Sequence, residues 1–248
     1  MTTPKTKLAG IALIAALCAG FTLGLTAPAG AGFDEAVAAL QRGDYATAFR
    51  ELRPLAERGN GEAQYNLGIM YRNGRGVPQD NAKAVGWFRK AAEQGVALAQ
   101  YFLGVMYDNG EGVSQNYATA VKWYRKAAEQ GYAGAQFDLG VMYNNGEGVL
   151  QDYAEAARWY RKAVEQGYGR ALINLGFMYS KGQGVPQDYV QAHMWYNLAA
   201  SRFPPGENHD QSVKNRDLVA EKMTPAQIAE AQRMAREWLE RRRTGGHQ

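Results

Sequence analysis

Apolar residues return along this chain at helical spacing, in short stretches separated by breaks rich in Gly and Asn. In one such stretch Ala99, Leu103, Met106 and Tyr107 share a face, which predicts an amphipathic helix. Asn109-Gly110-Glu111-Gly112 ends it, because glycine accepts the left-handed backbone that closes a helix. A second stripe, Ala120, Trp123, Tyr124, Ala127 and Ala128, predicts a helix from about Tyr117 to Gln130, stopped by Gly131. The next first helix starts within a few residues. The two helices must therefore turn back and pack on each other.

The pattern repeats. Leu67-Gly68-Ile69-Met70-Tyr71 recurs at 103–107, 139–143 and 175–179, a step of 36 residues each time. Trp87, Trp123, Trp159 and Trp195 keep the same step, as do Gly95, Gly131 and Gly167. A period in this range belongs to a solenoid of stacked units, each of which leaves an apolar face for its neighbour to cover. The residue sizes fit close helix packing. Gly104, Ala120 and Ala127 allow two helices to approach, while Trp123 and Tyr107 are expected to fill the space between them. On that reading Trp123→Ala costs about 3–5 kcal/mol.

The ends depart from the period. A short pair is expected over 33–59, with Gly43-Asp44 as break and N-cap. Four full units follow over 60–203. Pro204-Pro205-Gly206 breaks the phase, and residues 204–248 read as capping helices and tail. Thr224-Pro225-Ala226-Gln227 is a helix-start signature, with Ile228, Ala231, Met234, Ala235 and Trp238 on one face.

These motifs resemble Sel1-like repeats, relatives of tetratricopeptide repeats. The likeness rests on Leu-Gly-x-Met-Tyr, on the loops Gly74-Arg75-Gly76-Val77, Gly110-Glu111-Gly112-Val113, Gly146-Glu147-Gly148-Val149 and Gly182-Gln183-Gly184-Val185, and on the Trp-Tyr/Phe-Arg-Lys-Ala helix. It covers about residues 33–203. It implies an all-α fold, a right-handed superhelical solenoid of antiparallel helix pairs. It also implies an adaptor in protein complexes. Exported bacterial members of the family include regulators of sensor kinases, exopolysaccharide-system components and host-interaction factors. A cysteine-rich branch is associated with penicillin binding or β-lactam hydrolysis, and this chain departs from that branch.

The departure is visible in the cysteine count. The single cysteine, Cys18, lies in an apolar run from Leu8 to Leu25 that follows Lys5 and Lys7. Ala27-Pro28-Ala29-Gly30-Ala31 then fits cleavage after Ala29 or Ala31. Residues 1–31 are expected to be a removed signal peptide, with an uncleaved anchor as the alternative, which places the chain in the periplasm or outside the cell. Removal leaves no thiol for a disulfide, a metal or a nucleophile. It also lowers the formal charge from +4 to +2, so no electrostatic drive toward nucleic acid remains.

Candidate chemistry is thin. His193, His209 and His247 have no metal-ligand spacing, and His193 reads as a surface or capping residue. No Ser has a Lys three residues on, as a penicillin-binding nucleophile needs; Thr119 and Lys122 have the spacing but lie on an ordinary amphipathic helix. The Gly-x-Gly loops lack the Lys-Ser/Thr of a phosphate loop. Asp80, Asp152 and Asp188 precede second helices, a capping position. Arg89, Arg125 and Arg161 each precede Glu by four residues, which predicts surface ion pairs, and Arg241-Arg242-Arg243 reads as a frayed helix end. No catalytic residue, metal or cofactor is expected.

What remains is binding. In stacked helix pairs the first helices line the concave side. Residues off the Leu67/Tyr71 stripe would face that groove: Tyr65, Ile69 and Arg72, then Tyr101, Val105 and Asp108, then Phe137, Val141 and Asn144, then Ile173, Phe177 and Ser180. An apolar ladder with varied polar members suits a peptide or protein partner. The alternative is that Tyr65 and its equivalents only pack between units. The expected function is a non-catalytic scaffold of the bacterial cell envelope. The alternatives are a β-lactam- or peptidoglycan-interacting protein and a regulator of a sensor kinase.

Overall fold

Each unit is punctuated by the same local chemistry. A computed structural model describes residues 29–245, and in every loop after a first helix a glycine takes the left-handed backbone, with φ of 65–73° at Gly74, Gly110, Gly146 and Gly182. Its N–H donates to the carbonyl of Met70, Met106, Met142 or Met178. Six residues further on, Asp80, Asn116, Asp152 and Asp188 accept backbone N–H bonds of 2.8–3.0 Å and start the second helices. Asp80, Asp152 and Asp188 therefore cap as expected.

The outcome is twelve helices, with no strand among the described residues. They are α1 (Ala29–Arg42), α2 (Tyr45–Glu57), α3 (Gly61–Asn73), α4 (Asn81–Glu93), α5 (Ala97–Asn109), α6 (Tyr117–Glu129), α7 (Ala133–Asn145), α8 (Tyr153–Glu165), α9 (Gly169–Lys181), α10 (Tyr189–Arg202), α11 (Glu207–Ala220) and α12 (Pro225–Gly245). They wind as a right-handed solenoid of antiparallel pairs. Of the expected signal peptide, residues 1–28 lie outside the described residues. No described helix is long and apolar enough to cross a membrane.

Cohesion comes from the seams between units. One buried cluster joins Val85 and Phe88 of α4 to Leu103 and Met106 of α5. The next joins Val121 and Tyr124 of α6 to Leu139 and Met142 of α7. Burying such side chains stabilises by about 1.5–3 kcal/mol each. A buried glutamine reinforces each of the first three seams. Gln64, Gln100 and Gln136 donate to the carbonyls of Ala56, Ala92 and Ala128, at 3.0, 3.1 and 3.1 Å, near the ends of the preceding second helices. Each of those carbonyls lacks the usual i+4 partner of a helix interior and also accepts the N–H of the glycine three residues on, Gly59, Gly95 or Gly131, at 3.0–3.1 Å.

Four expectations need correction. Trp123 does not fill the tight space beside Gly104. That place belongs to Tyr124, whose ring a Cβ at Gly104 would meet at 2.6 Å. Trp87 and Trp123 are half buried, with Lys90 and Lys126 ammonium groups 4.4 and 4.5 Å from the ring centres. Next, the arginines do not pair with the glutamates four residues on. Arg89, Arg125 and Arg161 donate to the hydroxyls of Tyr107, Tyr143 and Tyr179, at 2.8, 2.6 and 3.0 Å, tying each second helix to the next first helix. A seam-spanning charge-assisted bond fixes two units, which an exposed pair within one helix cannot.

His193 is not a surface residue. It is 3% exposed at the α10–α11 packing, and its Nδ1 has no partner. Finally, Arg242 is not a frayed end. It donates to the carbonyls of Val164 and Glu165 at 2.6 and 3.0 Å, closing the C-terminus of α8. It arrives there because α12 packs on α10 through Ala231, Ala235 and an edge-to-face Trp195–Trp238 contact with ring centres 6.1 Å apart. The reciprocal bonds of Thr224 and Gln227 start α12.

Candidate interaction face on the first helices

The first helices α3, α5, α7 and α9 stand side by side, one per unit, and residues at their fifth, sixth, ninth and twelfth positions share one side. The substantial helix–helix contacts run between consecutive helices or within the C-terminal group α9–α12, so no described helix folds across this side except at its C-terminal end, where α11 brings Val219 to the cluster on which Ile173 of α9 packs.

The fifth-position residues are working parts of the seams. Tyr65 packs on Phe88 and Phe102, with ring centres 6.1 and 6.0 Å away. Tyr101 meets Tyr132 at 4.8 Å and Tyr124 at 5.8 Å, and Phe137 meets Tyr168 at 4.8 Å and Tyr160 at 5.7 Å. Ile173 leans on the buried cluster of α8–α10. The packing role is therefore real, and each of these residues also keeps part of its surface exposed. Burial first, and then neighbouring charge, pushes the Tyr65 and Tyr101 phenols far above their ordinary range.

The ninth position forms the open row. Ile69, Val105 and Val141 are half buried, and Phe177 is 44% exposed. The twelfth position is more engaged. Arg72 pairs with Glu111 at 3.2 Å and lies over the Phe102 ring, 5.3 Å from its centre. Asp108 accepts the Tyr124 hydroxyl at 3.3 Å. Asn144 donates to Asn145 at 3.0 Å, and Ser180 donates to the Phe177 carbonyl at 2.8 Å.

Asp138, at the sixth position of α7, does not figure among the residues read from the sequence. The Tyr101 hydroxyl hydrogen-bonds to it, and its charge helps hold up the phenols of Tyr101, Tyr124, Tyr132, Tyr160 and Tyr168, for each of which burial is the larger cause. The Tyr168 phenol is pushed up to about 12. Five tyrosines around one carboxylate mark the middle of this side as its most featured region. The available signal was the unequal sixth position, which reads Asn66, Phe102, Asp138, Asn174. Among the described residues no group of three His, Cys, Asp or Glu is placed to hold a metal ion.

Relatives share this architecture. A Sel1 repeat protein from Oxalobacter formigenes is 31% identical, with a TM-score of 0.67, over 83% of this chain and 99% of that one. A protective antigen from uropathogenic Escherichia coli, described as displaying an SLR fold, is 32% identical with a TM-score of 0.55, over 84% of this chain and 52% of that one. The rat protein DAP3-binding cell death enhancer 1 is 46% identical over 46 residues, which is 18% of this chain and spans only 9% of the relative. The Sel1 repeat matches four times in succession, at residues 61–96, 97–132, 133–168 and 169–202. Four matched repeats over more than half of the chain, on a solenoid of the same architecture, place this protein in the Sel1 repeat family.

Proposed function

We propose that this protein is an exported, non-catalytic adaptor that holds a partner polypeptide along its first-helix side. Solenoids of this kind are in general scaffolds for protein interaction. The observation that carries the reading is the uncovered row Ile69, Val105, Val141 and Phe177, one apolar residue per unit, edged by polar groups. An extended or helical segment laid across the units would bury the row and meet a different polar neighbour at each step. The rat relative is itself named as DAP3-binding. Export rests on the apolar run from Leu8 to Leu25 and the small residues from Ala27 to Ala31 that follow it.

Photo-crosslinking in the cell tests this. A crosslinker at position 105 or 177 should trap a discrete polypeptide, and one at position 122, on the second helix α6, should not. Adducts only from position 122, or none from any position, overturn the reading. The double variant Tyr101→Ala plus Phe137→Ala is a poor test, because both rings hold seams together.

A further inference from the structure

We propose that the seam between the second and third full units, where Asp138 lies among Tyr101, Tyr132 and Tyr168, receives a basic side chain, an arginine or lysine of the bound polypeptide. This rests on the adaptor reading and adds the chemistry of its central contact.

The repeat supplies its own precedent. One seam upstream the chain seats a cation: Arg72 lies over Phe102 and pairs with Glu111. Moving these three positions on by one unit gives Asp108, Asp138 and Glu147. The place of the internal arginine is taken by a carboxylate, and the two positions around it are carboxylates as well. One unit further the same positions read Asn144, Asn174 and Gln183, all neutral. The central seam alone therefore exchanges its own cation for negative charge. Glu147 Oε2 is buried there without a hydrogen-bond partner.

Aromatic rings wall the same place. Tyr132 and Tyr168 occupy the N-cap positions of α7 and α9, where neither side chain makes a capping bond; Asn60, at the equivalent place before α3, does, at 2.8 Å to the Ala63 N–H. Tyrosine at these positions gives up a cap and packs at a tilt against Tyr101 or Phe137 instead. A cation is attracted to a ring face and to a carboxylate together, and a planar guanidinium matches both. A phenol hydrogen bond orients the Asp138 carboxylate without cancelling its charge.

The test is a random-peptide display selection on the full chain, followed by fluorescence anisotropy with the best synthetic peptide. Selected peptides should share one arginine or lysine flanked by apolar residues. Replacing that residue by glutamine should weaken binding about tenfold or more. Asp138→Asn should weaken the basic peptide similarly and leave the glutamine peptide unchanged, the signature of a direct pair. Asp108→Arg, which puts an arginine back at the place Arg72 holds upstream, should fill the seam in cis and abolish the preference, with far-UV circular dichroism showing that the helices are kept. Tyr168→Leu should weaken the basic peptide alone. Peptides that bind the first-helix side without a shared basic residue, or unchanged binding of the basic peptide to both Asp138→Asn and Asp108→Arg, overturn the proposal and leave the adaptor reading standing. Selection of no peptide overturns both.

Discussion

Gly68 and Gly86 lie mid-helix in the two helices of one unit, α3 and α4. By backbone preference alone, alanine at either place stabilises by about 0.5–1 kcal/mol. Packing separates the two. A Cβ at Gly86 meets nothing within 4 Å, whereas a Cβ at Gly68 comes to 2.5 Å from Phe88 Cε1 and 2.6 Å from Cδ1. Ordinary contact starts near 3.4 Å, so the ring edge must retreat by the difference, about 0.9 Å. Phe88 has little freedom to do so. It is fully buried, and its ring stacks on Phe102 at 5.6 Å with 13° between the planes. Overpacking of this kind costs about 1–3 kcal/mol, which exceeds the backbone gain. Gly68→Ala should therefore destabilise by about 1–2 kcal/mol, and Gly86→Ala should stabilise by about 0.5–1 kcal/mol. Urea unfolding followed by far-UV circular dichroism reads both as midpoint shifts of opposite sign. Adding Phe88→Leu to Gly68→Ala should make the alanine less costly than it is beside the intact ring. If both single variants moved the midpoint the same way, close approach would not be why the motif carries glycine.

Tyr124→Ala should cost about 3–5 kcal/mol and Trp123→Ala clearly less, because the tyrosine is buried and the tryptophan is half exposed; paired urea titrations rank them. Gln100→Leu should cost about 0.5–1.5 kcal/mol by removing its bond to the Ala92 carbonyl, which keeps the Gly95 N–H, and the same unfolding assay reads the loss. For His193, burial first and the Arg216 charge second lower the pKa below its ordinary value of 6.5, with Asp217 opposing. The unfolded chain then binds the proton more readily, so the contribution is complete above pH 6.5 and is lost as the pH falls toward the folded-state pKa. The urea midpoint should drop between about pH 7.5 and about pH 5.5, and His193→Gln should flatten that drop. Labelled penicillin should leave no covalent adduct on the purified chain, as mass spectrometry would show.

The solenoid was legible in the amino-acid order because its causes are local and repeated. Left-handed glycines, Asp and Asn caps and apolar stripes act within a few residues of themselves, and four copies in one register reinforce a weak preference into an architecture. What the order could not determine is which side of a helix each neighbour covers. Trp123 and Tyr124 are adjacent and both aromatic, yet the crossing of α5 and α6 buries one and leaves the other half exposed. His193 is enclosed only once α11 returns to α10. Arg242 reaches α8 across 78 residues because α12 lies on α10. The arginine–tyrosine bonds and the grouping of tyrosines around Asp138 likewise join residues from different units. Their distances depend on how far one unit turns relative to the next. That rotation is a property of packed side chains, so periodicity predicts the stack, and only the assembled helices decide which charges meet upon it.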